Sequence, residues 1–574
     1  MLDLFSAVEA GNVSEVKSLL PFTNPNLQNE NGDTALMIAV KDDNIELSQL
    51  LLPVSDPNIQ SNYGYTALML AVRGNNIELT QLLLPVSDPN IQGENGNTAL
   101  IIAVRGNNIE FVRLLLPVSD PNIQNVLGNT ALMGAVDNDN IEIVKVLLEA
   151  GAKVNILNKG GSTALMYARD PDIAEILIWA GAELNLKDNK GQTALAMGYN
   201  YKTVKLLLTY GARPNSDCLR VEVNKGNISA IKLLLEYRFD ISEVSSNNQM
   251  SVLMLAVRNR YPDIVQLLLP VSDPNIQNVN GYTALMLAVD NGYPDIVQIL
   301  LPVSDPNIQD KYGNTALIIA VDRRNPDIVK LLLPVSNLNI QNDIGNTALM
   351  IAVSKNDIEI VKLLLEAKAD PNILNKSEFT ALMLAVSKNN IEIVKLLLPV
   401  SDFNIQSNYG LRRSALIIAV IKEHLEIVKL LLPVSNLNIQ NNFGLRRSVL
   451  MIADNIEIVK VLLEAGAKVN ILNKGGSTAL MYSRDPDITE MLIWAGAEIN
   501  LMNDEGETAL FFAVKRYNYK MVKLLLTYGA RPNSLILQKA IDKENIPMIK
   551  LLLEYRFDIS GVHSNNPEIS RLLK

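Results

Sequence analysis

The feature that most limits what this chain can fold into is its self-similarity at a period of about 32 residues. Residues 283–314 read TALMLAVDNGYPDIVQILLPVSDPNIQDKYGN. The same pattern restarts at Thr315 with TALIIAV, and the copy before it opens at Ser251 with SVLMLAV. A fixed period of this size means an array of small supersecondary units. Length alone would suggest roughly four globular domains, but the period overrides that prior, and one array accounts for the 574 residues.

One unit can be built from its residues. Thr283 predicts a helix N-cap, its hydroxyl accepting from a free N–H of the first turn. Leu285, Ala288 and Val289 recur at helical spacing, which predicts a helix of about two turns, roughly 12 Å long. Asn291 and Gly292 end it. Pro294 suits the first position of a second helix, where its missing N–H costs little. Ile296, Val297, Leu300 and Leu301 form the apolar face of that helix, and Pro302 stops it. The stretch 304–313 is rich in Pro, Asn, Asp and Gly and predicts turns. Isolated helices shorter than about 12 residues are marginal in water, so the unit gains stability only by stacking on its neighbours.

The order G-x-T-A-L-x-x-A-V, then I-V-x-L-L-L, then D-P-N-I-Q resembles the ankyrin repeat, and it recurs about seventeen times. The resemblance implies an all-α ankyrin-repeat solenoid of stacked helix-turn-helix units with projecting turns or hairpins. It also implies protein–protein recognition through the turn tips and the exposed face of the first helix. The family's T-P-L-H stands here as T-A-L-M or T-A-L-I. Its Gly-Ala turn, present at Gly151-Ala152, is mostly replaced by Pro-Val-Ser. The Pro-Val-Ser-Asp style resembles the multi-repeat ankyrin proteins of giant DNA viruses.

Four stretches are distinguished along the chain. Residues 1–31 are expected to be an N-terminal capping repeat and 32–248 a first module ending in a degenerate repeat. Residues 249–560 are expected to be a second module ending in a C-terminal capping repeat, and 561–574 a tail; the alternative is an array that runs on continuously through 245–250. The division follows a longer period: residues 140–167 are identical to 455–482, and KLLLEYRFDIS occurs at 232–242 and again at 550–560. Units opening at Thr163, Thr193, Ser448 and Thr478 are three residues short, the equivalent of about one helical turn. An Asn recurs before the turn, as at Asn58, Asn90, Asn122, Asn275, Asn307, Asn372 and Asn404, and predicts a structural ladder tying turns together through backbone bonds.

Composition narrows the function. A net charge of −10 and a pI near 5.1 make the chain a poor binder of phosphate backbones, so no nucleic acid is expected. Cys218 is the single cysteine, which excludes an intrachain disulfide and fits a reducing compartment. The N-terminus lacks a basic n-region, and no apolar run reaches the 18 or so residues of a membrane span. The expectation is a cytoplasmic, soluble intracellular protein with no membrane partner.

No chemistry-bearing constellation emerges. His424 and His563 lie in different units, and no His/Cys cluster has metal-ligand spacing. Cys218 has no histidine near it in sequence, so an inert buried thiol is the expectation. Gly-Gly-Ser at 160–162 lacks the Lys and spacing of a phosphate loop. Glu110, Glu142 and Glu359 fall on solvent faces. The chain is therefore expected not to be an enzyme, with no cofactor, no metal and no small-molecule substrate.

What varies between units is the turn tip. Before the turn Gly stand Tyr63, Asn95, Leu127, Asn280, Tyr312, Ile344, Tyr409 and Phe443, and after it stand Tyr65 or Tyr282 in two units. These positions lie outside the repeating apolar stripe, and aromatic anchors are enriched at binding hot spots; the plainer alternative is scattered surface aromatics. GLRRSAL at 410–416 and GLRRSVL at 444–450 add two residues and a double Arg to each tip. Adjacent tips about 10 Å apart would join Arg412, Arg413, Arg446 and Arg447 in one basic patch, suited to carboxylates or phosphates; the alternative is one harmless insertion, copied. The function expected is a non-catalytic scaffold binding partner proteins along an extended repeat surface. Alternatives are a structural spacer without a ligand, or a substrate adaptor for a ubiquitin ligase.

Overall fold

A computed structural model of the chain describes residues 3–197, 200–239, 241, 250–406, 414–438, 440, 446–555 and 559–573. Among these residues all regular structure is helical, and the only β-type pairing is a single bridge between Gln440 and Ser448. The chain divides into two compact units, Met1–Asp273 and Pro274–Lys574.

The second unit opens with the repeat analysed above. Thr283 caps the helix Ala284–Asp290, its hydroxyl accepting from the Met286 N–H at 3.2 Å. Leu285, Met286, Ala288 and Val289 are buried. The helix ends at Asn291, and Gly292 then takes a left-handed φ of +71°. Pro294 begins the second helix, Pro294–Leu300, which buries Ile296, Val297 and Leu300. Burying one such side chain fully is worth roughly 1.5–3 kcal/mol. That burial is available only because neighbouring repeats cover both faces. Accordingly, Ala284–Asp290 packs on its own second helix and on the next first helix, Ala316–Asp322, and the scheme continues through Ala348–Lys355 and Ala381–Ser387.

The first unit is built in the same way. Helices Ala35–Lys41, Ala67–Arg73, Ala99–Arg105 and Ala131–Asp137 stack in order, each on its own second helix. The degenerate repeat supplies Ser216–Lys225, which packs on Val252–Arg258. Where three residues are missing, the first helix shrinks to one turn. It is a 3-10 turn at Ala164–Tyr167 and Ala194–Met197, and four α-helical residues at Val449–Ile452 and Ala479–Tyr482. Within 561–574 a short helix forms, Pro567–Leu572, capped by Asn566 and burying Ile569.

The Asn ladder forms as the spacing predicts. In the first unit the Asp88, Asp120 and Lys153 amides donate to the side chains of Asn58, Asn90 and Asn122 at 2.7–2.8 Å. In the second, Asp305, Asn337, Asp402 and Asn436 donate to Asn275, Asn307, Asn372 and Asn404 at 2.7–3.2 Å. A second ladder runs beside it. Gln28, Gln60 and Gln92 each donate to the carbonyl of the equivalent Gln one repeat on. Gln277 and Gln309 do the same in the second unit.

Candidate recognition surface

The turn tips are held by their backbones. In the first unit the carbonyls of Asn95 and Leu127 accept from the Val126 and Lys159 amides of the next tip, both at 3.0 Å. In the second, the carbonyls of Asn280, Tyr312 and Ile344 accept from Lys311, Asp343 and Lys376 at 2.9–3.2 Å. The Gly that follows is left-handed, and at most tips a Cβ there would clash with the next tip; one repeat carries Glu378 at this position instead, at φ +60°. At Gly313, φ is +76°, and an added Cβ would lie 2.7 Å from the Asp343 amide nitrogen. These bonds use only main-chain atoms, so the side chain before the Gly is free to vary without loosening the stack.

Those side chains project. Tyr63 and Leu127 in the first unit and Tyr312 and Ile344 in the second are each about three-fifths exposed. Tyr65 and Tyr282, after the Gly, are half-buried. The Arg73 guanidinium lies over the Tyr65 ring at 5.1 Å, and the Lys311 ammonium lies 5.5 Å from the Tyr312 ring. Burial, with the negative charges of Asp290 and Asp310, raises the Tyr282 pKa above its ordinary value.

Two of these residues meet in one groove. Tyr282 and Ile344 line a cavity of about 360 Å³ floored by Ile318, Ile319 and Ile351 of the first helices. Its rim carries two ion pairs, Arg323–Asp290 at 2.7 Å and Lys355–Asp322 at 2.9 Å. Sequence inspection did not single out the floor or the rim. The signal was present, since the residues at 290, 322, 323 and 355 differ in charge among otherwise matching repeats. Two broader depressions, of about 1000 and 930 Å³, lie instead at the turns between helices, one in each unit. Each is lined by turn asparagines together with helix residues, and neither contains any of the tip residues.

The Arg pair of the second insertion is split. Arg446 is exposed with a φ of +52°, whereas Arg447 is half-buried with its guanidinium 4.5 Å from the Tyr482 ring. Tyr409, Arg412, Arg413 and Phe443 lie outside the described residues.

The groups considered for chemistry are dispersed. His424 sits at a helix start with Nδ1 3.0 Å from the Val386 carbonyl oxygen, and His563 lies near Gln538. Burial pushes the Cys218 thiol up to about 11. Among the described residues no three His, Cys, Asp or Glu side chains gather in a way that could hold a metal ion, and no helix is long and apolar enough to cross a membrane.

Comparison with known proteins gives three findings. The family model described as ankyrin repeats (three copies) matches residues 4–92, 74–158, 194–278, 219–310, 266–346, 302–375, 349–442, 382–473, 416–493 and 479–562. No curated protein matches the chain. A solved structure, titled as the ankyrin repeat domain of Bcl-3, a unique member of the IkappaB protein family, is similar at 26% identity. The match covers 42% of this chain and 97% of that one with a TM-score of 0.32.

Proposed function

Because the chain belongs to the ankyrin-repeat family, we propose that it is a non-catalytic scaffold that binds partner proteins through its turn tips and the first-helix faces beside them. The observation that carries this reading is the separation of roles at each tip. The backbone is held by an inter-repeat bond and a left-handed residue, nearly always Gly, while the side chain alongside changes from repeat to repeat and faces solvent. An aromatic on a rigid frame loses little conformational freedom on binding, so more of its buried area becomes affinity. The groove between Tyr282 and Ile344 adds an apolar floor framed by fixed charges, the usual make-up of a specific protein contact.

Finer parts of the proposal rest on sequence. Arg412, Arg413, Arg446 and Arg447 form a docking point for an acidic or phosphorylated partner segment. The stretches 32–248 and 249–560 act as two modules, each ending in a copy of the same block. The protein works in the cytoplasm, and the Pro-Val-Ser-Asp style points to a viral source.

Crosslinked pull-down with mass spectrometry from the source cells tests the reading. Tyr282→Ala combined with Ile344→Ala should deplete a partner that the wild type recovers, with the helical circular dichroism unchanged. Glu at all four Arg positions should deplete a partner that reads the basic patch. Recovery of the same proteins by every variant would make the spacer reading the better one.

A further inference from the structure

The chain contains two tryptophans, and both stand in solvent: Trp179 is 71% exposed and Trp494 is 69% exposed. Each is the last residue of a second helix, Pro171–Trp179 in the first unit and Pro486–Trp494 in the second. The other nine-residue second helices end there in a polar residue: Glu149, Glu366 and Glu464, or Thr209 and Thr527. The fold therefore has no need of an indole at this position, and leaving so large an apolar surface in water is unfavourable. Trp179 also lies in 159–193, the stretch between two matches of the family model.

Both indoles are held in the same way. Trp179 Nε1 donates to Tyr210 Oη at 3.1 Å, and that hydroxyl donates to Glu175 Oε1 at 2.8 Å. In the second unit Trp494 Nε1 donates to Tyr528 Oη at 3.1 Å, which donates to Glu490 Oε1 at 2.7 Å. The tyrosine comes from the following repeat and the carboxylate from the tryptophan's own helix, so each indole is fixed in orientation with its face uncovered. Every donor in the cluster is already used. What remains is acceptor capacity, comprising the electron-rich indole face and the second carboxylate oxygen, which has no partner among the described residues. A site with no donor left suits a group that only donates, and a guanidinium is planar, cationic and donor-only. A proline-rich segment would want a free indole N–H to give to its carbonyls, and here that N–H is occupied. The net charge of −10 favours a basic partner as well.

We propose that Trp179 with Glu175, and Trp494 with Glu490, are two equivalent docking sites, one on each unit, for arginine side chains of a basic partner segment. They lie on second helices and are independent of the turn tips.

Intrinsic fluorescence of the full-length protein tests this, because all indole emission comes from the two sites. The probe is the peptide acetyl-Gly-Arg-Gly-Arg-Gly-amide, and its control carries citrulline, which has nearly the shape of arginine without the charge. The arginine peptide should change the emission saturably, and the citrulline peptide should bind about fivefold more weakly or less tightly still. Glu175→Gln with Glu490→Gln keeps an acceptor for each tyrosine while removing the charge, and should weaken binding to a similar degree. Trp179→Ala leaves Trp494 as the sole reporter with its own titration intact. Tyr312→Ala should leave the titration unchanged, which separates this proposal from the reading of the tips. Equal binding of the two peptides would overturn it, as would unchanged affinity in the double Gln variant, tighter binding of a proline-rich peptide, or self-association of the protein through these indoles.

Discussion

At the scale of the residue, burial and backbone angle set what a side chain can do. The Cys218 thiol is buried with its Sγ donating to Asn215 Oδ1 at 3.1 Å; burial disfavours the thiolate, and the pKa is pushed up to about 11. At pH 8 only on the order of one molecule in a thousand then carries the nucleophile. The native chain should therefore be nearly inert to a thiol-reactive chromogenic disulfide at pH 8 and react fully once unfolded; rapid labelling of the folded protein would contradict the burial argument. The sign of the linked stability effect follows from the same shift. A folded-state pKa above the unfolded one contributes stability that is intact below about pH 9 and is lost as pH rises through the folded value. Gly313 is a backbone case. Gly313→Ala forces a side chain into φ +76° and against the Asp343 amide, so it should cost roughly 2–3 kcal/mol. Thermal melting checks this, and an unshifted midpoint would mean that the tip can rearrange.

At the scale of the element, two polar residues three apart in one turn make opposite predictions. Asn307 accepts the Asn337 amide at 2.7 Å and carries one rung of the ladder. Ser304 has a buried hydroxyl with no hydrogen-bond partner among the described residues, as do Ser336, Ser401 and Ser435 in the same unit. Asn307→Ala should cost about 1 kcal/mol by stranding the amide. Ser304→Ala should leave the melting midpoint unchanged or raise it, because it removes an unpaired buried oxygen. The contrast also marks what the sequence made legible. The Asn ladder could be inferred from spacing, since a polar residue repeated at one position of a stacked unit needs a partner in its neighbour. The Gln ladder escaped because a turn Gln looks the same whether it faces water or the next repeat. The tip aromatics were visible as departures from the apolar stripe. The groove under Tyr282 and Ile344 was not, because only stacking decides which tips share a floor. Trp179 was hidden in an apolar helix, where ILIW reads as core. The clue, available only on aligning the repeats, was that its place in the other nine-residue helices belongs to Glu149, Glu366, Glu464, Thr209 and Thr527.

At the scale of the whole molecule, stability is a sum of neighbour terms. Each first helix packs on its own second helix and on the first helices of adjoining repeats, and both ladders reach one repeat along the chain. Nothing in this scheme joins distant repeats directly, so a lesion should weaken the fold locally and fade with separation. Leu300 is fully buried in its second helix, and Leu300→Ala should cost about 2–5 kcal/mol. Hydrogen exchange read by mass spectrometry locates the loss. Amides of Ala284–Asp290, Pro294–Leu300 and Ala316–Asp322 should exchange much faster in the variant, Ala348–Lys355 somewhat faster, and Ile546–Leu553 at the wild-type rate. Equal acceleration across all five helices would show the second unit opening as one cooperative body, and the nearest-neighbour account would fail. The graded result would carry a consequence for recognition. A partner seated in the groove beside Tyr282 would then stabilise the repeats it touches and their immediate neighbours, leaving the far repeats free to engage something else.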